Sequence, residues 1–576
     1  MEYKLISPRR QGYSAIEQVL ANRGIEDVSH YLNTSDNDIL NPTLLDNMEQ
    51  GAKMLISHIA QNDRVHLIID SDADGYTSSA VLLNWLNCYF PHFVQTKVSY
   101  SLHKGKEHGI ILEEVPTEIK LLIVPDAGSS DLEQQKLLLA QGIETLVLDH
   151  HHSDSISEYA CVINNQLCDY PTKSLSGAGI AYKFCSYLDS LLGRDCAENL
   201  LDLVALGLVA DVMSLADYET KRLIEKGLKN IENPYFKGMT IKNAYQLGNQ
   251  VTPFGVAFYI APYVNAVVRM GTMEEKLILF ESMLDFKAYE EIPSTKRGCK
   301  GQMETVVEQA CRNCANVKNR QTKQRDTSLE LIERIIEEQN LLENKILLVQ
   351  LRAEDRTTLT GLIANVLMSK YQRPVLILSE TKHEPNEVWY EGSLRAPAST
   401  GDFRRICEDS KLAEYVQGHA SAAGIGLRQD NIPAFISYMN NFFKDFDFSP
   451  KYDVDFIINA KRIEENKYDF YNIMDYSALW GQQVEEPLFV IEDLNVTKDS
   501  MTVMKGPTLK FTMPGNSDIS IIKFKATEEE VELLTPSDSG CVKINVVGVC
   551  ERNSFDDKPQ IIVKDFEIVE RQQYYF

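Results

Sequence analysis

The sequence predicts an α/β protein in several pieces: a parallel-sheet catalytic domain, a long linking helix, a second α/β domain and a small C-terminal β-barrel. Three observations predict it. Apolar runs of strand length at Val65–Ile69, Leu121–Pro125 and Thr145–Leu148 are each stopped by Asp, His or Gly and separated by helix-compatible stretches, and strands alternating with helices predict a parallel sheet. A charged stretch near residues 300–340 carries a helical pattern. Past residue 449, short alternating runs lie between turn signals at 488–496, 508–513, 519–524, 542–549 and 560–569, which suits a small barrel.

Taken in order, residues 1–50 read as a helical preface, with Ile16, Val19 and Leu20 at helical spacing. The expected divisions are then 51–235 for the catalytic domain, 236–340 for a helical connector, 341–448 for the second α/β domain and 449–576 for the barrel. In the catalytic part, Val65–Ile69 ends in Asp70, Asp72 and Asp74, followed by Gly75. A buried strand stopped by Gly before a helix puts those acids at the carboxyl end of a parallel strand, where open α/β sheets hold ligands. Clustered carboxylates repel one another and are costly to desolvate, and a hard divalent cation relieves both costs. A solvated turn is the other reading; an EF-hand loop is disfavoured because its closing Glu position is Val81.

Leu121–Pro125 runs into Asp126-Ala-Gly-Ser-Ser, and Thr145–Leu148 into Asp149-His150-His151-His152. Imidazoles beside carboxylates favour manganese over calcium, although two of the three histidines also suit an exposed surface. His58, His66 and His92 read as structural. Ser174-Leu-Ser-Gly177-Ala-Gly is a small-residue helix start that either offers backbone N–H groups to phosphate or packs tightly. An apolar segment from Leu203 delivers Asp211, a costly place for a carboxylate without a cation.

Composition is that of a soluble globular chain, 44% hydrophobic and 24% charged. No apolar stretch is long enough to span a bilayer, and the first residues lack a signal peptide's apolar core. The 11 cysteines read as reduced thiols of a cytoplasmic protein, with Cys311 and Cys314 structural on a helix rather than half a zinc site. A net charge of -25 confines any polyanion contact to local Lys/Arg clusters and metal ions.

The ordered motifs Asp70-Ser-Asp-Ala-Asp-Gly, Pro-Asp126-Ala-Gly, Leu-Asp149-His-His and Val-Ala-Asp211 resemble those of the DHH phosphoesterase superfamily. Leu175-Ser-Gly-Ala-Gly-Ile-Ala-Tyr-Lys is similar to the segment before the fourth motif in the RecJ branch, phage and prophage forms included. Downstream, Gln417-Gly418-His419-Ala-Ser-Ala-Ala-Gly resembles the signature of the DHH-associated domain, with Gln417 replacing its first Gly. Around Ser101–Gly109 the family's Asn-Arg and Gly-Tyr-Gly are missing. Leu479-Trp-Gly and Glu486-Pro-Leu-Phe resemble the lead into the branch's OB-fold domain.

The resemblance implies a single-stranded-DNA-specific 5′ to 3′ exonuclease that hydrolyses phosphodiester bonds with two Mn2+ or Mg2+ ions, in DNA repair, recombination or replication. It assigns Asp70, Asp72, Asp74, Asp126, His150 and Asp211 as ligands, with Asp126 bridging. His151 would face the scissile phosphate and Asp149 orient an imidazole. Arg395, Gly418, His419 and the Gly177 turn would contact the strand, with His103, Lys104 and Lys106 as further phosphate contacts. His419 among small residues either lets backbone approach phosphate or starts a packed helix. On the barrel, Lys505, Lys510, Lys523 and Lys525 with Phe511 and Phe524 suit single-strand binding, or a lysine-solubilised face. The expected partners are single-stranded DNA and single-strand-binding or replication proteins, around a monomer. A cyclic-dinucleotide or short-oligonucleotide phosphodiesterase of the same superfamily and an inactive single-strand-binding replication protein are the rival readings.

Overall fold

The computed structural model describes residues 1–573 except 106, 300, 385–386, 514–515, 538–539 and 554. The chain divides into two compact units, one of residues 5–318 and 454–576, the other of residues 1–4 and 319–453, the division falling within the helix Val306–Glu338.

In the first unit, five strands form a wholly parallel sheet in the order Val98–Leu102, Val65–Ile69, Leu121–Pro125, Glu144–Asp149, Cys161–Asn164. Its inner strands are buried throughout, which is why they read as continuous apolar runs. Leu67, Ile69, Ile123 and Leu148 enter one core, and Ile68, Leu122, Val124 and Val147 enter another. The strand order reverses between Val65–Ile69 and Leu121–Pro125. Chain connections leave in opposite directions there, so a crevice opens beyond the carboxyl ends. Asp70 and Asp126 flank it by sequence alone.

The N-terminal fifty residues depart from the helical expectation: the strand Glu2–Leu5 comes first, paired with Lys451–Val454. Four residues are too few to show a period, and their partner lies far along the chain. The helix Ala15–Asn22 follows, started by a Ser14 capping box. The segment is tied down by a buried ion pair. Lys183 meets Glu219 with both side chains 1% exposed. Lys183 Nζ also donates to the Leu40 carbonyl at 2.7 Å, while Leu40 N–H and the Tyr170 hydroxyl donate to Glu219 at 3.0 and 2.9 Å.

The C-terminal region of this unit holds a seven-stranded sheet where five strands are expected. Phe456–Asn459 and Met501–Met504 are the additions, four residues each. Phe456–Asn459 pairs in parallel with Leu488–Val496 and takes its outer edge, so among the described residues the ladder runs open rather than closing into a barrel. Phe511 is 1% exposed and belongs to the core, and Lys523 pairs with Glu530 at 3.1 Å, so neither presents itself to a base. Phe524 is exposed.

The second unit is built on a five-stranded sheet ordered Ala413–His419, Ala422–Arg428, Glu387–Arg395, Val375–Glu384, Leu347–Leu351. Only its last pair is parallel. His419 ends a strand of a tight hairpin and does not start a helix; Gly418 before it adopts φ 132°, a positive value that favours glycine. Cys311 and Cys314 lie on the helix Val306–Glu338 as expected, Cys314 buried near the Tyr235 hydroxyl. The cysteines are not all free: Cys88 and Cys196 form a disulfide across 108 residues, a pairing only the fold reveals. Among the described residues no helix is long and apolar enough to cross a membrane.

Removing one partner of a buried ion pair strands the other charge, at about 3–5 kcal/mol. Lys183→Met is therefore expected to lower stability by about that amount, seen as a drop in the thermal unfolding midpoint of the full chain; an unchanged midpoint would contradict this role.

Candidate metal centre

Asp72 caps the helix Ala73–Tyr89, accepting from Gly75 N–H at 2.9 Å. The alternating acids thus become a strand end, a cap and a first-turn residue, the two last stabilised by the positive end of the helix. Gly75 is required by a close approach, since a Cβ there would lie 2.7 Å from the Asp70 carbonyl oxygen. Asp126 sits at φ 66°, a sparsely populated conformation for a side-chain-bearing residue that Asp tolerates better than most.

These constraints gather seven carboxylates and imidazoles. His150 Nε2 lies 3.2 Å from Asp126 Oδ1, 3.3 Å from Asp211 Oδ2 and 3.9 Å from Asp74 Oδ2. Ligand atoms of Asp74, His150 and Asp211 fall within 4.8 Å of one another, as do those of Asp126, His150 and His151 and those of Asp70, Asp72 and Asp126. Asp126 appears in two of these groups, at 1% exposure.

Hydrogen bonding separates the acids into two kinds. Asp74 is held by the start of the helix Gly177–Leu192, through the Ser176 hydroxyl at 2.8 Å and the N–H groups of Gly177 and Ala178 at 2.5 and 3.1 Å. The Gly177 amide expected to face phosphate therefore faces Asp74 instead. Glycine stands there because a Cβ would come within 2.5 Å of the Asp126 side chain. Asp149 accepts from Ser129 N–H at 3.0 Å, from the backbone of His150 and His151 at 2.7 and 3.1 Å, and from His151 Nδ1 at 2.8 Å. Both Asp126 oxygens and His150 Nε2, by contrast, are buried with no hydrogen-bond partner.

The electrostatics follow. Burial, then the neighbouring Asp74 and Asp72, push the Asp126 carboxyl well above the usual range. Burial and the same two neighbours push Asp211 up to about 8. Burial alone would raise Asp149 too, but the His151 and Ser129 hydrogen bonds bring it down to about 2. The hydrogen bond to Asp149 raises His151 to about 9, whereas burial lowers His150 and keeps that imidazole neutral. Desolvated carboxyl oxygens that find no hydrogen-bond donor among the described residues, around a neutral imidazole, fit a divalent cation.

The loop predicted to contact phosphate divides. His103 has a side chain at 0% exposure beside Asp70, because it follows directly on a buried strand end and points into the acids; only Lys104 is exposed. Lys106 lies outside the described residues. His108 is a residue the sequence reading missed: its Nδ1 is 2.7 Å from Asp70 Oδ2, and that contact raises its pKa. Asn164 is another, donating to Ser129 Oγ and to the His151 carbonyl at 2.9 Å. Neither stands in a motif of its own, though His108-Gly109 lies where the family pattern breaks. In the second unit, His419 pairs with Ala422 and Ala422 with Arg395, so the two predicted contacts share one row across three strands. Gly418 is next to that row, where a Cβ would meet the Ala422 oxygen at 2.9 Å.

Fold and site define a class: an α/β protein whose parallel-sheet edge gathers oxygen and imidazole ligands at a topological switch point. The family model for the DHH family, N-terminal domain, matches residues 64–208, and that for the RecJ OB domain matches residues 454–565. A Bacillus subtilis protein provisionally named as an SPbeta prophage-derived single-strand DNA-specific exonuclease is 34% identical over 100% of this chain and 99% of its own length. The single-stranded-DNA-specific exonuclease RecJ of Bacillus subtilis is 24% identical over 97% of this chain and 68% of its own. The crystal structure of Thermus thermophilus RecJ in complex with Mn2+ matches 99% of this chain and 80% of that one, with TM-score 0.70 and 20% identity. The chain belongs to the DHH family, in its RecJ branch.

Carboxylates must shed protons to ligate. Mn2+ affinity should therefore fall by about tenfold or more between pH 8.5 and 6.5, with proton release seen calorimetrically in buffers of different ionisation heat. Gly177→Ala, which drives a methyl group onto Asp126, should weaken Mn2+ binding by about 10–100-fold; unchanged affinity would show that Asp126 is not held by this contact.

Proposed function

We propose that this protein is a metal-dependent exonuclease that hydrolyses phosphodiester bonds of single-stranded DNA from the 5′ end. The observation that carries the reading is the buried edge where Asp126 and His150 present unpartnered ligand atoms to Asp74 and Asp211. Relatives over nearly the whole chain are named as single-strand-DNA-specific exonucleases. In this reading Asp70, Asp72, Asp74, Asp126, His150 and Asp211 would hold two Mn2+ or Mg2+ ions, Asp126 being common to two of the ligand groups. Such ions supply a hydroxide at neutral pH and offset charge on the phosphate being cleaved.

The other residues bind and orient. Asp149 fixes the His151 ring through Nδ1, leaving Nε2 as an outward donor on a half-exposed side chain. The cationic ring then faces the scissile phosphate, a preorganised donor that loses nothing to reorientation. Asn164 and Ser129 hold that assembly from behind. In the second unit, the row of Arg395 and His419 suits two successive phosphates, and the small residues around Gly418 let the strand approach. Residues 51–235 thus carry the chemistry, 341–448 grip the strand and 449–576 extend the contact. Single-strand-binding and replication proteins are the partners this activity calls for.

The test uses the full chain with Mn2+, 5′- and 3′-labelled single strands, the matching duplex and a cyclic dinucleotide. Only the single strand should be degraded, releasing mononucleotides from its 5′ end. Asp126→Ala should abolish degradation while leaving strand binding intact, and His151→Ala should lower kcat by about 10²–10³. Cleavage of the dinucleotide alone would replace the substrate, and mononucleotides from the 3′ end would reverse the direction.

A further inference from the structure

Asp70 differs from Asp126 in being surrounded by donors. His108 Nδ1 reaches Oδ2 at 2.7 Å and Gly109 N–H reaches Oδ1 at 3.2 Å. On the Oδ1 side stands His103, wholly buried, its Nε2 at 3.7 Å and its Nδ1 3.4 Å from Glu114 Oε2. Both His103 nitrogens and Glu114 Oε2 lack a hydrogen-bond partner. Buried polar atoms without partners are rare and call for a reason. The two carboxylates are the ion-pair partners within reach of that ring, and each sits a few tenths of an ångström beyond hydrogen-bond distance.

The backbone that carries these rings is itself held. Lys276, on the helix Met273–Ser282, is 2% exposed and donates Nζ to the carbonyls of His103 and Lys104 at 3.1 and 2.9 Å. The Ser71 hydroxyl donates to the Glu107 carbonyl at 2.7 Å, and Ile110 N–H donates to Asp131 at 2.7 Å. Burying a lysine for two carbonyls of one loop is costly. It is reasonable where the loop's position matters.

We propose that His103 and His108 are positioning residues that hold Asp70 in ligating geometry from its two oxygens, and that Lys276 anchors the backbone bearing them. This rests on the metal-dependent reading above. Groups that hydrogen-bond a ligating carboxylate fix its orientation and tune the ion it holds. The pattern repeats, on the ligand side, what Asp149 does for His151. Asp126 needs no such collar, because Gly177 and Gly207 already enclose it and its neighbour Asp74 sterically. Asp70 follows its strand next to the edge strand Val98–Leu102, and the side-chain hydrogen bonds it accepts among the described residues come from this loop.

The experiment measures Mn2+ binding by calorimetry on the full chain, with thermal midpoints and steady-state kinetics alongside. His108→Ala, whose side chain is 64% exposed and so tolerates truncation, should weaken Mn2+ binding by about tenfold or more with an unchanged midpoint. Its kcat should fall while KM for DNA holds. His108→Asn, whose amide can donate in place of Nδ1, should recover most of the affinity. Lys276→Met should act in the same direction and Lys276→Arg should restore binding; if Lys276→Met does not fold, the His108 pair decides. The exposed His92→Ala serves as control. His108→Ala binding Mn2+ within about twofold of a wild type that both binds Mn2+ and degrades DNA overturns this inference alone. A wild type that takes up no Mn2+ overturns the nuclease reading and this inference together.

Discussion

Carboxyl groups buried together without hydrogen-bond donors are the constraint on which the rest of this structure depends. Asp126 lies at the one place in the sheet where strand order reverses, with both oxygens desolvated and unpaired. Holding it there dictates much of the surrounding sequence. Gly177 stands where a Cβ would strike Asp126, and Gly207 stands where one would come within 2.4 Å of Asp74. Asp126 itself takes a left-handed backbone to reach inward. Such an arrangement is unfavourable for the protein alone and becomes favourable when a cation fills it.

The same edge divides its acids by what donates to them. Asp74 is satisfied by a helix N-terminus, Asp149 by two histidine backbones, a serine amide and a ring. Asp126 and Asp211 are left to repel each other and their neighbours. Asp149 and Asp211 thus differ from about 2 to about 8 within a few residues' reach, through hydrogen bonding in one case and burial in the other. A net charge of -25 is no obstacle to a polyanionic substrate in such a site, because the cations bound there set the local field.

The unit that carries the site is stitched together by distant segments of the chain. Arg23 pairs with Asp455 at 2.9 Å, both largely buried, joining the N-terminal helices to the C-terminal sheet. Leu215 N–H donates to the Gln482 carbonyl at 3.0 Å only four residues beyond Asp211. The loop after Asp211 is thereby braced by the region that leads into the C-terminal strands.

The sequence alone determined the parallel sheet, because strands buried on both faces must be continuously apolar and their ends alone can hold acids. It also placed Asp70, Asp126, Asp149 and His150 at the ends of such strands and Asp211 at the end of an apolar helix, but not His103 and His108 beside Asp70. Short elements escaped it: Glu2–Leu5, Phe456–Asn459 and Met501–Met504 are too brief to show a period, and Glu2–Leu5 is made by a partner far away in the chain. Only the tertiary structure decided what each polar group does once gathered. It gave the Gly177 amide to Asp74, buried His103, and brought His108 onto Asp70. Those outcomes turn on ångström distances between segments that local patterning does not encode, which is why residue types were legible and their partners were not.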